Sequence, residues 1–304
     1  MVYDIDGNTV SELYNSDGDG ISSAYDKSGN VVFNTQPTPA VDYDDYTISS
    51  FRNITVANCQ GIAVYNNILF QFRGSSSVND LVCIYDLTDG STIYSNLTID
   101  SDHGDSATFS NEFYDQNDEF PLLYVTADTT PAIIYINRVT RNSATLIKTL
   151  KFPDSAGYYG AGAFDFANNI CYLLAYKKNN YQTSDSGTNT TVVSKWDLSN
   201  LTDNGDGTYT PAYISQYERA FIYVMQGLTY HDGYIWICSG YNTGVVSHIY
   251  AMQPETGVID HTITMDDTTE LEGIQFIYDS ESESYYAFVG QQGGKYKKIT
   301  FGTS

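Results

Sequence analysis

Six polar residues are the strongest candidates for chemistry in this chain: Gln60, His103, Asp105, Gln226, Glu270 and Glu272. Each stands within three residues of a glycine (Gly61, Gly104, Gly227 or Gly273) that opens a strand of small residues. Amides and carboxylates gathered on one rim can hold a cation or the hydroxyls of a sugar. Two carboxylates facing one bond, ~5–9 Å apart, can hydrolyse a glycoside. Asp105 and Glu272 are the catalytic candidates, with Glu270 beside them. The competing reading is structural. Buried polar groups must find partners, so these side chains can equally bond the backbone of a neighbouring strand and tie the fold together.

Other catalytic schemes fail on spacing. Arg52, Arg73, Arg138, Arg141 and Arg219 do not recur at equivalent strand positions, as a sialidase-type site requires. No nucleophile-elbow or zincin spacing occurs. The four histidines (103, 231, 248 and 261) are too scattered for a multi-histidine metal site. One stretch has calcium-loop spacing: Asn15, Asp17 and Asp19 alternate before Gly20, with Asp26 at the twelfth position. No helix pattern flanks it, and an ordinary Asp/Gly turn accounts for the same residues. Calcium is therefore the one cofactor the sequence raises, and no other is expected.

The elements that must position these residues read as all-β. Beyond residue 45, short apolar or alternating runs are separated by turn signals, with almost no helical periodicity. Tyr 28 and Phe 14 fit a strand-rich chain. A four-strand unit recurs. It opens at Gln60-Gly61, turns at Asn66-Asn67 into Ile68–Phe72, continues through Val82–Leu87, and returns after Gly90. The copy opening at Gln226-Gly227 repeats that order through the turn Asp232-Gly233. Weaker copies open near Gly104 and Gly162, and the last, at Glu272-Gly273, runs out of chain after three strands. The expected fold is a five-bladed β-propeller over residues 45–304. A ring must close or expose sheet edges, so the unassigned segment 46–56 is expected to supply the missing strand. A β-sandwich of similar strand count is the rival.

Ahead of that domain, the tyrosines at 3, 14 and 25 step by eleven. Each precedes an Asp/Gly/Asn turn and an apolar end. Three such units bury too little to stand alone, so residues 1–34 read as an attachment segment that needs a partner. Residues 35–44, with Pro37 and Pro39, read as a stiff linker.

Charge narrows the partners. Lys+Arg 14 against Asp+Glu 37 gives a formal net charge of -23. Such a surface repels nucleic acid and anionic membranes. No apolar run is long enough to span a bilayer, and the first residues lack the pattern of a secretory signal. Cys59, Cys83, Cys171 and Cys238 each sit in an apolar run and read as small buried hydrophobes.

The motif Tyr-Asp-x-x-Gly-Asn (Tyr3 to Asn8, Tyr25 to Asn30) resembles the N-terminal segments of virion proteins from phages and prophages of gut bacteria. The Gln-Gly and Glu-Gly strand starts are similar to those of small propellers of the helveticin-like and glutaminyl-cyclase-like groups. These resemblances imply a tail or head appendage, made in the host cytoplasm without a signal peptide and carried on the virion. The N-terminal segment would bind other virion proteins, and the propeller a host-surface glycan or another virion protein. A homotrimer follows by analogy with phage fibres. A carbohydrate-active hydrolase or lyase is the alternative.

Overall fold

The computed structural model describes residues 41–303 apart from 52–58, 75–78, 102–103, 105, 128, 179–188, 222–223, 241–244 and 281. Before residue 41 it describes six short strands. The chain divides into two compact units, Met1–Asp42 with Gly302–Ser304, and Tyr43–Phe301.

In the first unit the six strands form three antiparallel hairpins. β1 (Val2–Tyr3) pairs with β2 (Thr9–Val10), β3 (Leu13–Tyr14) with β4 (Gly20–Ile21), and β5 (Ser23–Tyr25) with β6 (Val31–Asn34). The tyrosine of each eleven-residue unit is thus the last residue of a hairpin's first strand. Asn15, Asp17, Asp19 and Asp26, the calcium candidates, lie outside the described residues.

The second unit is all-β. Among its described residues the one helical turn is the 3-10 segment Asp154–Ala156. Among the described residues, no helix is long and apolar enough to cross a membrane. After β7 (Val41–Ser50) come successive antiparallel meanders. The first is β8 (Gly61–Tyr65), β9 (Ile68–Phe72), β10 (Asn79–Asp86) and β11 (Thr92–Asp100). The second is β12 (Ser106–Phe109), β13 (Leu123–Ala127), β14 (Ile133–Val139) and β15 (Ala144–Lys151). The third is β16 (Tyr158–Asp165), β17 (Ile170–Tyr176), β18 (Asn189–Asp203) and β19 (Thr208–Phe221). The fourth is β20 (Met225–His231), β21 (Tyr234–Ser239), β22 (His248–Met252) and β23 (Ile259–Thr264). The last is β24 (Leu271–Asp279), β25 (Ser284–Gln291) and β26 (Lys295–Thr303), with β7 as its fourth strand. The Phe51 amide donates to the Tyr296 carbonyl at 2.8 Å, and Thr47 meets Thr300 at 2.6 Å between hydroxyls. β7 begins at Val41, inside the stretch that composition marks as linker. Alternation of Val41 and Tyr43 with Asp42 and Asp44 makes it a half-buried strand.

Local chemistry dictates the tight turns. Asn66 and Asn67 both have positive φ (46° and 61°), as do Asp232 and Gly233 (50° and 82°). That is the two-residue geometry matching strand twist, which Asn, Asp and Gly tolerate. The second and third meanders are joined into one eight-stranded sheet. Their outer strands β15 and β19 pair in parallel at Thr149↔Thr208 and Leu150↔Tyr209.

The cores lie between consecutive meanders. Phe70, Phe72 and Ile84 of the first meet Phe109, Leu123 and Val125 of the second. Ile134, Leu150 and Phe152 meet Phe164, Leu173 and Trp196. Leu174 and Val193 meet Leu228, Ile235 and Ile237. Phe288 and Tyr296 of the last meander meet Ile62, Leu69 and Tyr85 of the first. Each fully buried side chain of this size contributes about 1.5–3 kcal/mol relative to exposure. All four cysteines are buried and free.

Candidate functional site

The first strands of the meanders pack in cyclic order: β8 on β12, β12 on β16, β16 on β20, β20 on β24, and β24 back on β8. They approach closely because of glycine. A Cβ added at Gly227 would lie 2.5 Å from the Gly273 Cα, and one at Gly273 would lie 2.8 Å from Ile62 Cγ1. Two side chains tie the five strands across their centre. Ser106 Oγ of β12 lies 3.0 Å from the Gly162 carbonyl of β16 and 3.1 Å from the Leu228 carbonyl of β20. Gln275 of β24 donates its amide to the Ala107 carbonyl of β12 at 2.9 Å and the Ile62 carbonyl of β8 at 3.3 Å. β12 and β20, not neighbours in the cycle, also touch. Glycine removes the spacing a side chain would impose, and Ser106 and Gln275 fill what remains.

Of the six rim candidates, four are described and they associate in pairs. Gln226 donates its side-chain amide to Glu270 Oε1. Gln60 donates to Glu272 Oε1 at 3.4 Å and to the Cys59 carbonyl at 3.2 Å. His103 and Asp105 lie outside the described residues. Burial pushes the Glu270 carboxyl above its ordinary range, and the Gln226 amide pulls it part of the way back. Glu272 is 3% exposed. Side chains two apart on a regular strand share a face, yet these two carboxylates turn to opposite neighbours: Glu270 to β20, Glu272 to the residue before β8. A register shift between Leu271 and Gly273 in the β24–β25 ladder accompanies that divergence.

Polar groups that the sequence did not single out adjoin the rim. Lys297, only 7% exposed, meets Asp266 at 2.8 Å and Asp267 at 3.2 Å. Burial lowers its pKa, but the two carboxylates outweigh that and hold it above the ordinary lysine range. Gln291, fully buried, donates to Asp267 Oδ1 at 2.9 Å, while its Oε1 has no hydrogen-bond partner among the described residues. The sequence offered no signal for this cluster, since Asp266 and Asp267 lie about thirty residues from Lys297 on different elements. Among the described residues no group of three His, Cys, Asp or Glu side chains can hold a metal.

No protein-family model and no curated protein matches the chain. Solved structures do resemble it. The tail fiber of Staphylococcus aureus phage P68 superposes with a TM-score of 0.50 at 11% identity, covering 86% of this chain and 52% of that one. An exo-β-1,3-galactanase of Phanerochaete chrysosporium, solved with galactose, superposes with a TM-score of 0.48 at 11% identity, covering 96% of this chain and 64% of that one. The chain thus spans about half the length of the tail fiber and under two thirds of the galactanase. At these identities the likeness to the tail fiber is one of fold.

Proposed function

We propose that the chain is a virion-associated appendage of tail or head. In this reading its Tyr43–Phe301 unit is a five-bladed β-propeller closed by β7, binding a host-surface glycan or another virion protein through the rim. The tail-fiber fold likeness over 86% of the chain supports this most directly. The cyclic packing of first strands supports the propeller, as do cores placed between consecutive meanders and between last and first. Residues 1–34 act as the attachment segment toward other virion proteins, the residues between 34 and β7 as the link, and the assembled form is a trimer by analogy with phage fibres. The rim reads as a binding surface because both described carboxylates are engaged by glutamine amides and turn apart.

Particles released from the strain carrying the gene provide the test. The chain should co-sediment with capsid and tail proteins through a density gradient, as read by mass spectrometry. Its absence from purified particles sinks the virion role. A glycan array with wild type and Gln226→Ala then separates the two partner classes at the rim: signal reduced in the variant indicates glycan there, and signal absent or unchanged indicates a protein partner.

One observation favours a second reading. Burial raises the Glu270 carboxyl, the property a glycoside-cleaving general acid needs, and Glu272 is a second buried carboxylate at the same rim. Depolymerisation of host polysaccharide that Glu270→Gln and Glu272→Gln both abolish would establish it. Wild-type inactivity on that polysaccharide would remove it.

A further inference from the structure

A cleft of about 310 Å³ lies away from the rim, between the β17–β18–β19 sheet and the turn joining β22 to β23. Its polar centre is Lys195 of β18. The ammonium meets Glu255 Oε1 at 2.6 Å, and the Tyr172 hydroxyl donates to the same oxygen at 3.3 Å. Lys195 also stands 5.6 Å over the Tyr172 ring. Tyr217 forms a second aromatic wall and donates its hydroxyl to the Pro254 carbonyl at 2.9 Å. Ser215 and Gln216 line the open side.

The cleft is preformed. Gly257 lets the turn press on Tyr217, since a Cβ there would lie 2.8 Å from the ring. The Tyr217–Pro254 bond holds the turn from the other side. Preformed polar groups lower the ordering cost of binding. The lining combines an ammonium, a carboxylate on an exposed turn, hydroxyls and an amide between tyrosine walls. Such a set of alternating donors and acceptors matches vicinal hydroxyls on a ring that also has apolar edges. An acidic ligand is disfavoured twice: Glu255 already neutralises Lys195, and the chain as a whole carries a formal charge of -23.

We propose that this cleft is a second binding site, for one or two rings of a neutral saccharide, with Lys195 and Glu255 as its polar anchors. It is separate from the rim and does not depend on the rim binding anything.

Saturation-transfer NMR on the full chain tests this with glucose, galactose, N-acetylglucosamine, lactose, galacturonic acid and N-acetylneuraminic acid as probes. Wild type should transfer magnetisation to at least one neutral sugar. Lys195→Met should weaken that binding about tenfold or more, which one lost charge-assisted hydrogen-bond partner accounts for. Ser215→Trp, at an exposed position, should block the cleft without threatening the fold, and thermal melting should confirm an unchanged midpoint. Gln226→Ala removes any contribution of the rim and should leave a signal that Ser215→Trp, added to it, abolishes. Transfer to no neutral sugar overturns the site, as does transfer that survives Ser215→Trp combined with Gln226→Ala. Binding of the two acidic sugars alone overturns the neutral assignment. Loss in Gln226→Ala but not in Ser215→Trp moves the binding to the rim and likewise ends the proposal.

Discussion

Two inter-sheet joints of the Tyr43–Phe301 unit are built differently. Where the first meander meets the second, the contact is apolar, with Phe70, Phe109 and Phe120 packed ring to ring at 5.1–5.9 Å. Where the last meander meets the fourth, aromatic packing is joined by directional bonds from β7. Tyr43 sits 4.9 Å from Trp236 and 5.0 Å from Phe301, and its hydroxyl donates to Asp232 Oδ2 at 3.0 Å. Asp44 meets His261 at 3.0 Å, and the Thr264 amide donates to the Tyr46 hydroxyl at 3.0 Å. The first joint connects neighbours in the chain. The second recruits a strand about 190 to 220 residues away from its partners. Apolar area supplies stability without direction, whereas a strand arriving from far off also needs its register specified, and hydrogen bonds supply that.

The comparison can be broken at several levels. Both joints depend on the inner strands lying glycine-close, so Gly227→Val should have the largest effect. Its branched side chain would run into the β24 backbone, and loss of cooperative urea unfolding is expected. A variant that melts like wild type would show that the centre can spread. Phe70→Ala should then cost about 3–5 kcal/mol at the apolar joint, measured from the urea midpoint.

The closing joint should also be the more acid-sensitive. Burial lowers the His231 pKa to about 4, and the ring stacks on Phe276 at 4.0 Å. In the unfolded chain a histidine titrates near 6.5. Between those values the unfolded state binds the extra proton, so this contribution is full above about pH 6.5 and is lost as pH falls toward 4. The loss amounts to about 3 kcal/mol, and His231→Phe should remove that part of the slope. Equal slopes in variant and wild type would show that the ring is protonated in place. Tyr43→Phe keeps the packing and deletes one bond, so it should cost about 1 kcal/mol. Smallest of all, Lys177→Met breaks an exposed pair with Glu218 and should change stability by less than about 0.5 kcal/mol.

The parts of this architecture written in contiguous residues were readable before the structure. Asn66-Asn67 and Asp232-Gly233 announce two-residue hairpins, and Ile68–Phe72 announces a buried strand, because turn chemistry and strand period are local properties. Gln60, Gln226 and Glu272 were visible as a set because each precedes a glycine. Their pairing was not, since Glu270 looks equivalent to Glu272 in sequence and a register shift sends them to different partners. The residues around 203–210 form the end of the long β18–β19 hairpin whose β19 reaches β15. A parallel contact of two residue pairs leaves no periodic trace. Ser106, Gln275 and the Lys195–Glu255 pair were equally silent, because a single polar residue in a strand declares no partner.

The route of β7 has a mechanical consequence. It is the covalent continuation of the N-terminal segment and pairs with β26 near the opposite end of the chain. Tension pulled through residues 1–40 is therefore taken first by the β7–β26 ladder and by Tyr43, Asp44 and Tyr46. Those attachments must all part before the force reaches the rest of the sheet.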